Sequence, residues 1–452
     1  MLNPEDRKIY LEEIRPPVGY KLDRAIATTF SLDLLSLLMA PLSLALFDID
    51  NRDEILKDPI AVLEAIRRTA NRLAIFCQQG RIKVPRNDTR LFSYLEPIVY
   101  DVRPPGDGVF HPKVWVLRFS AVDEPVFYRF LCFSRNLTFD NSWDTVLKLE
   151  GNLEEDRSYG FPQNRPLTDF IRALPDMAVC DVNDKAKELI DLLAEEVYKV
   201  RFKTPEYFEN EISFIPSGIK GYNKISEFKD FTRMMVISPF LSEQVIKSFT
   251  ESGNDNILFS RGESLDKFEI SFFSELKANT SVYILDDTVE RPEETDEDSS
   301  EPVEESGNII EEDFSGLHTK LYIAEKGWDA SILTGSANAT TTAFQGENVE
   351  FMVELTGKKS KVGIDRFFGI DDKQTTFRDL LRIYHRPEED KIQDNIRMQL
   401  EKILDDARNE LARCNLSVSI AENIDRTYSL IINSESKFKI KDDIEGYCYP
   451  IS

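Results

Sequence analysis

A repeated histidine–lysine pair is the feature that most constrains what this chain can fold into. The chain has only three histidines, and two of them stand two positions before a lysine, as His111-Pro112-Lys113 and His318-Thr319-Lys320. Each pair precedes an apolar run rich in β-branched and aromatic residues, which is typical of a strand. The spacing predicts an internal duplication, and therefore two halves of similar architecture.

The same order of polar residues continues after each pair. A Ser-x-Asn element follows the apolar run, and an acidic residue then opens a further strand-like run. The two sets are Ser134, Asn136 and Asp144, and Ser336, Asn338 and Glu350. The histidines are 207 residues apart, the asparagines 202 and the acidic residues 206. This agreement extends the duplication over most of the two halves.

The spacing also predicts where these side chains point. Residues i and i+2 of a strand lie on the same side, so each histidine projects beside its lysine. Two copies would bring two imidazoles, two ammonium groups, two hydroxyls and two amides to one cleft. That set suits a tetrahedral phosphate, because cations and neutral donors meet its oxygens while an imidazole stands on each side.

The duplicated motif resembles the phospholipase D superfamily, the HKD phosphodiesterases. The second copy, HTKLYIAE, LTGSANATTTAF and NVEFMVEL, is close to the family pattern, and the first, HPKVWVLRF, FSRNLT and WDTVLKLEG, is looser. The resemblance covers roughly residues 20 to 380. The motif pair is specific for the superfamily but not for a substrate.

The resemblance implies an α/β fold of two phospholipase D-like α-β-α lobes that form a pseudo-twofold pair, with a C-terminal helix and strand appendage. We expect a first lobe over residues 1–170, a connecting helix and linker over 171–220, a second lobe over 221–385 and the appendage over 386–452. Local patterns predict helices over 25–48 with a break at Pro41, a loop over 152–170 and a helix over 184–202. His385, before a proline, is expected to cap a helix.

The resemblance further implies a two-step transfer without a metal or another cofactor. His111 would attack phosphorus, and His318 would protonate the leaving oxygen and then activate water. Asp144 and Glu350 would each hydrogen-bond a histidine and determine its tautomer. The phosphate would be held by Lys113, Lys320, Asn136, Asn338, Ser134 and Ser336. Arg135 is expected to reach a phosphate or to form a surface salt bridge.

The first copy departs from the family pattern at two positions. Arg118 stands where the family has an acidic residue, five positions after the lysine, whereas the second copy has Glu325 there. Phe133 stands where the family has the glycine before the serine. These departures leave room for a non-catalytic scaffold with a degenerate phosphate cleft, although both histidines, lysines and asparagines are present.

Composition limits the cellular setting. The five cysteines are scattered without CxxC spacing, which argues against a disulfide framework and a zinc site. The longest apolar stretch, residues 34–47, is shorter than the roughly 20 residues that a membrane span needs. The N-terminus lacks the pattern of a signal peptide. We therefore expect a cytoplasmic protein that does not bind membranes.

The net charge of −25 is unevenly distributed. Residues 286–313 hold 14 acidic side chains and one arginine, which is −13 of the total. Such a run is typical of a solvated loop, and the alternative is a DNA mimic that covers the phosphate site.

The substrate has two candidate classes. The first is DNA, since members of this compact type resemble bacterial nucleases of restriction and antiviral defence. The acidic charge then suggests that a partner ATPase or helicase supplies part of the DNA affinity, and the C-terminal region would bind that partner or a second copy of the chain. The alternative is a phospholipase or phosphatidyltransferase, which would need a membrane-facing surface.

Overall fold

The computed structural model describes most of both repeats. The described residues are 10–46, 59–83, 90–139, 141–155, 159–226, 228, 230–276, 279–286, 315–368, 377–386, 392–414 and 416–434. The acidic run lies outside them from residue 287 onward.

The first lobe is built on a seven-stranded mixed sheet. Its strand order is β10-β9-β7-β6-β1-β3-β5, with β1, β3 and β5 parallel and the other neighbours antiparallel. The strands are β1 Lys21–Thr29, β3 Leu73–Gln78, β5 Val99–Val102, β6 Val114–Ser120, β7 Phe127–Phe133, β9 Val146–Leu153 and β10 Val200–Lys203. Three short strands lie outside this sheet, namely β2 Leu32–Asp33, β4 Ile82–Lys83 and β8 Asn141–Trp143.

The second lobe repeats this arrangement in an eight-stranded sheet. Its order is β11-β18-β17-β16-β12-β13-β14-β19, with β12, β13 and β14 parallel and the other neighbours antiparallel. The strands are β11 Phe208–Ser217, β12 Arg233–Ile237, β13 Asn256–Phe259, β14 Thr280–Leu285, β16 Leu321–Lys326, β17 Asp329–Gly335, β18 Glu350–Lys358 and β19 Leu381–Ile383. The short strand β15 Ser315–Leu317 pairs with β8 of the first lobe.

The two sheets show that the chain is duplicated. Strands β1, β3, β5, β6, β7 and β9 occupy the same places in the first sheet as β12, β13, β14, β16, β17 and β18 in the second. Each histidine–lysine pair directly precedes a strand, β6 or β16. This strand pairs antiparallel with the first of the three parallel strands, β1 or β12. The predicted fold class of two related α/β lobes is confirmed.

Helices cover both faces of each sheet. In the first lobe they are α1 Tyr10–Glu13, α2 Leu34–Leu46, α3 Pro59–Ala70, α4 Arg165–Met177 and α5 Asp184–Val197. In the second lobe they are α6 Glu243–Thr250, α7 Gly262–Leu265, α8 Ile270–Leu276, α9 Thr341–Phe344, α10 Lys359–Val362 and α11 Ile364–Phe368. Short 3₁₀ turns lie at Arg90–Tyr94, Glu96–Ile98, Pro162–Asn164 and Phe377–Leu380. Four buried apolar clusters result, one of which joins a face of the first sheet to strands β11 and β18 of the second.

Aromatic packing joins the lobes. Phe351 of β18 lies at the centre of this contact, with its ring centroid 5.7 Å from Phe130 and 4.8 Å from Phe170 of the first lobe. Phe214 of β11 also meets Phe130, at 5.2 Å. These side chains belong to one continuous buried cluster, so the relative position of the lobes is determined by close packing.

The C-terminal part is a long helix followed by a hairpin. Helix α12 Ile392–Arg413 precedes strands β20 Leu416–Glu422 and β21 Tyr428–Ser434, which form a two-stranded sheet of their own within the described part of the chain. This confirms the expected helix and strand appendage. Among the described helices, none is both long and apolar enough to cross a membrane.

Three local expectations were wrong. Residues 25–29 are the end of central strand β1, and α2 runs through position 41 without a break. Strand β1 is buried on both sides, which removes the alternation that identifies a strand. The predicted loop over 152–170 contains the start of α4, because Pro166 occupies the first turn, where a proline is tolerated.

The helix over 184–202 ends earlier than expected. Helix α5 ends at Val197, and β10 then returns to the first sheet. The helix packs on α4 and on strands β1 and β3, so it is part of the first lobe. His385 caps no helix, since it follows β19 in an exposed loop.

Candidate active site

The two histidine–lysine segments are each held by the opposite lobe. The backbone N–H of His111 donates to Val349 in front of β18, at 2.9 Å. The N–H groups of His318 and Thr319 both donate to the carbonyl of Trp143 in β8, at 2.7 and 3.0 Å. The candidate site therefore straddles the interface between the lobes, where the two halves meet.

The lysines are almost completely buried. The exposed fraction is 2% for Lys113 and 1% for Lys320. Each ammonium donates to the carbonyl of the histidine two residues earlier, at 2.8 Å for Lys113 and 2.7 Å for Lys320. Burial lowers the pKa of Lys113 to about 7 and holds the pKa of Lys320 well below its usual range. A bound anion would stabilise the charged form of both lysines.

His111 is oriented by a carboxylate from the other lobe. Its Nδ1 lies 2.9 Å from Oε2 of Glu350, and the hydroxyl of Ser336 donates to that same oxygen. Burial alone would raise the pKa of Glu350, but His111, Lys113 and Ser336 hold it below its usual value. An ionised Glu350 accepts a hydrogen bond from Nδ1–H of neutral His111, so the proton stays on Nδ1 and the Nε2 lone pair remains available for attack.

The second half-site differs at the equivalent carboxylate. Among the described residues, Nδ1 of His318 has no hydrogen-bond partner although it is buried. Asp144, the counterpart of Glu350, lies 3.5 Å from Nε of Arg135 in an ion pair instead. The structure pairs Asp144 with Arg135, so that of the two alternatives for Arg135 it shows the salt bridge, and the role of Asp144 in the reaction stays a prediction. The two histidines have unlike surroundings.

The hydroxyl groups of the two serines form hydrogen bonds within the protein and are not exposed to solvent. Both are fully buried. The Oγ of Ser134 accepts the N–H of Thr145 at 2.7 Å, and the Oγ of Ser336 accepts the N–H of Phe351 at 2.9 Å. Their hydroxyls thus brace the start of the next strand, and Ser336 in addition orients Glu350. Phosphate binding by the two serines stays a prediction from the sequence.

The asparagines retain hydrogen-bonding capacity. The Oδ1 atoms of Asn136 and Asn338 are buried without a hydrogen-bond partner in the described part of the chain. Buried amide groups are nearly always paired, so a missing partner in both copies is what a ligand-binding position would show.

Electrostatics link the two half-sites. Burial lowers the pKa of His111 to about 4, and Glu350 opposes this only in part. The pKa of His318 is lowered further by burial together with Lys320, Arg261, Lys113 and His111. Since groups from both lobes act on His318, the two motifs form one cationic cluster. Both imidazoles are neutral at pH 7 when the site holds no anion.

Arg261 is a site residue that the motif search missed. It follows β13, and its Nε donates to the carbonyl of Leu317, next to His318, at 2.8 Å. Its charge lowers the pKa of both His318 and Lys320. A comparison of the repeats strand by strand would have found it, because the arginine follows the same strand of the sheet as Arg81 in the first lobe.

The departures from the family motif lie outside the site. Arg118 binds Glu196 of α5, with Nε to Oε2 at 2.7 Å, and Asp23 of β1, with Nη1 to Oδ2 at 2.6 Å. Its counterpart Glu325 accepts the backbone N–H of Ile364 at 2.8 Å. Both side chains join the sheet to an element packed on it. The charge reversal therefore changes a structural contact and not the candidate chemistry.

The missing glycine is also accommodated locally. Gly335 has φ +149°, and a Cβ there would lie 2.3 Å from the carbonyl oxygen of Phe351. In the first lobe Phe133 continues strand β7 and packs edge-on against Tyr10, with ring centroids 5.8 Å apart. Phe133 does not have the positive φ of Gly335, so its backbone accepts a side chain, and the ring then packs on Tyr10 of α1.

No metal-binding group is formed by the described residues, since no three His, Cys, Asp or Glu side chains come together there in a suitable arrangement. What the site does offer is a neutral imidazole held by a carboxylate, a second imidazole without that restraint, and a buried lysine of lowered pKa in each half. Such a set can attack, stabilise and protonate a phosphate ester.

Comparisons with known proteins returned only structural likenesses. No family model and no curated protein matches the chain. Solved structures of the yeast tyrosyl-DNA phosphodiesterase are similar to it. The unmodified enzyme shares 12% identity at a TM-score of 0.43 over 78% of this chain and 85% of that chain. A histidine-to-asparagine mutant shares 11% at 0.45, over 78% and 87%.

Proposed function

We propose that this protein is a metal-independent phosphodiesterase that cleaves DNA through a phosphohistidine intermediate. The observation that carries the proposal is the contact of His111 with Glu350 across the lobe interface. It orients a neutral imidazole with Nε2 available as nucleophile, beside two buried lysines that need an anion.

The chemistry follows from the unlike surroundings of the histidines. Nε2 of His111 attacks phosphorus, the bond from phosphorus to the leaving oxygen breaks, and His318 gives that oxygen a proton. His318 then takes a proton from water, the water oxygen attacks phosphorus, and the P–N bond to His111 breaks. Lys113, Lys320 and the asparagine amides stabilise the charge on the phosphate oxygens.

His318 must be protonated for the first step. Burial, and after it the neighbouring cations, lower its pKa in the free site, and the negative charge of a bound diester opposes this shift. Proton uptake by His318 is thus expected to accompany substrate binding. The pH profile of kcat should then show a higher acidic-group pKa than the profile of kcat/KM.

DNA is the preferred diester because the side chains around the histidines are cationic or amide-bearing. Arg261 is anchored beside His318, and the motif residues Asn136 and Asn338 each keep a buried amide oxygen without a partner among the described residues. Polar groups of this kind suit a phosphate backbone rather than lipid acyl chains. An antiviral role and an ATPase partner remain predictions from the sequence.

The test is cleavage of labelled single- and double-stranded DNA in excess EDTA. Wild type should cleave, His111→Ala and His318→Ala should lose activity by about 10³-fold or more, and His385→Ala, in its exposed loop, should match wild type. Labelled phosphate should remain bound to acid-sensitive nitrogen after a rapid quench. Cleavage that survives in His111→Ala, or that requires a divalent cation, would contradict the proposal. Activity confined to phospholipid diesters would favour the lipid alternative.

A further inference from the structure

A phenylalanine–arginine pair occurs once in each lobe beside the candidate site. Phe30 follows β1 and Arg81 follows β3, with the guanidinium carbon 5.0 Å from the ring centroid. Phe240 follows β12 and Arg261 follows β13, with a distance of 5.6 Å. Strands β1 and β3 occupy the places of β12 and β13, so the two pairs are equivalent in the duplicated fold.

Each pair borders one of the two histidines. The ring of Phe30 meets His111 edge-on at 5.3 Å and lies 6.0 Å from the ammonium of Lys113. The guanidinium of Arg261 is anchored on the carbonyl of Leu317, beside His318. Each pair therefore adjoins the histidine of its own half-site.

We propose that the two pairs, Phe30–Arg81 and Phe240–Arg261, bind the nucleotides on either side of the scissile phosphate in single-stranded nucleic acid. This rests on the proposed function. Arginine provides a fork of donors for a flanking phosphate, and an aromatic ring provides a face for a base. Phe240 is 43% exposed, which leaves its ring accessible for stacking. A strand that crosses from one lobe to the other would meet one pair on each side.

The pair in the first lobe has an internal acidic neighbour. Asp405 of α12 lies 3.2 Å from Nη2 of Arg81, where a flanking phosphate would bind. Phosphate binding at Arg81 must therefore displace this carboxylate. The nucleic acid should therefore bind less tightly at Arg81 than at Arg261, so the two flanking positions should differ in affinity.

The experiment couples protein variants to single neutral linkages in the substrate. Oligonucleotides with one methylphosphonate at each position around the cleaved bond are tested with wild type, Arg81→Gln and Arg261→Gln, by kcat/KM. In wild type, neutralising the flanking phosphate beside Arg261 should cost about tenfold, and neutralising the one beside Arg81 should cost less, because Asp405 competes with it there. In each variant, the methylphosphonate next to the substituted arginine should not lower kcat/KM further. The methylphosphonate next to the remaining arginine should lower kcat/KM as much as it does in wild type.

Two controls make the result specific. Arg201→Gln removes an arginine that also lies on a phenylalanine, Phe161 at 5.5 Å, but on edge strand β10, and should leave every linkage effect unchanged. Asp405→Asn should lower KM for the oligonucleotide about two- to threefold, whereas Asp406→Asn, with the same charge change one residue on, should not. The inference would be overturned if each methylphosphonate lowered kcat/KM by the same factor in wild type, Arg81→Gln and Arg261→Gln. It would also be overturned if Asp405→Asn and Asp406→Asn changed KM for the oligonucleotide equally.

Failure of the inference and failure of the proposed function are distinguishable. Cleavage of bis(p-nitrophenyl) phosphate, a diester without flanking phosphates, reports the chemistry alone. If wild type cleaves it in a His111-dependent manner but no linkage is coupled to an arginine, only the flanking subsites are wrong. If wild type cleaves neither substrate, the proposed function fails first.

Discussion

At the residue scale, the two histidines differ by one contact. Glu350 and the hydroxyl of Ser336 hold Nδ1 of His111 in place, whereas Asp144 is turned toward Arg135 and leaves His318 without that restraint. A nucleophile gains from a single orientation, while an acid that later acts as a base must exchange its proton. The asymmetry supports the proposed division of roles.

This division predicts unequal effects of two similar substitutions. Glu350→Gln should lower kcat by about 10² to 10⁴-fold, because an amide cannot select the Nδ1–H tautomer as a carboxylate does. Asp144→Asn should cost less, about tenfold or below. Glu354→Gln, the same change on the same strand β18, is the control and should leave kcat unaltered. Equal losses for Glu350→Gln and Asp144→Asn would show that the structural asymmetry has no role in the reaction.

The lowered pKa of Lys113 predicts proton uptake on binding. In the free site this pKa is about 7, so most of the lysine is neutral at pH 8.5. A bound phosphodiester favours the charged form and raises the pKa, so the lysine takes up a proton. Well below pH 7 it is already charged and contributes no uptake.

Calorimetry can measure this uptake. His111→Ala is titrated with a DNA oligonucleotide at pH 8.5 in buffers of different ionisation enthalpy. The uptake should fall when Lys113→Gln is added, and it should persist with Lys187→Gln, which changes an exposed lysine of α5. A binding enthalpy that does not depend on the buffer would be inconsistent with a neutral buried lysine.

At the element scale, Arg118 shows how a motif position can serve the fold. It connects β6 to α5 through Glu196, which also accepts the hydroxyl of Tyr128 at 2.6 Å, and to β1 through Asp23. The side chain is 15% exposed, so this network is largely shielded from water. Helix α5, to which it binds, packs with α4 on one face of the first sheet.

Arg118→Ala should therefore destabilise the protein without changing its chemistry. The free energy of unfolding should fall by about 1–3 kcal/mol, since Glu196 would lose a buried charged partner. Arg201→Ala breaks a more exposed ion pair with Glu154 and should cost less than about 1 kcal/mol. Denaturant unfolding measures both, and kcat of the folded Arg118→Ala protein should equal that of wild type. A lower kcat of the folded variant would show that Arg118 contributes to the reaction and not only to the fold.

At the scale of the whole molecule, the site exists only while the lobes are docked. Phe351 packs on Phe130 and Phe170 of the first lobe, and it directly follows the carboxylate that holds His111. Loss of this packing should separate His111 from Glu350 even where each sheet stays folded.

Phe351→Ala is expected to cost about 3–5 kcal/mol of stability and to lower kcat as well. Phe344→Ala removes an equally buried ring within the second lobe, where it packs on Phe249 and Tyr322. It should destabilise to a similar degree but retain kcat per folded molecule. Activity measured against the folded fraction from circular dichroism separates the two. Equal kcat in both variants would mean that lobe docking does not control the site.

The repeated motif predicted two halves of similar architecture, and the superfamily resemblance that it carries implied their α/β fold. A tandem duplication places equivalent residues at equivalent points of two sheets, so His111, Lys113, His318, Lys320 and the two asparagines could be assigned from spacing. Strand β1 was missed because a strand buried on both faces has no alternating pattern.

Only the tertiary structure decided which groups touch. His111 and Glu350 are 239 positions apart, and the choice of Glu350 for His111 and of Arg135 for Asp144 depends on how the two sheets pack. Arg261 enters the site because parallel strands end at the same edge of a sheet, whatever their separation in sequence. Spacing within a segment reports local geometry, whereas contacts between lobes follow from the packing of the complete core.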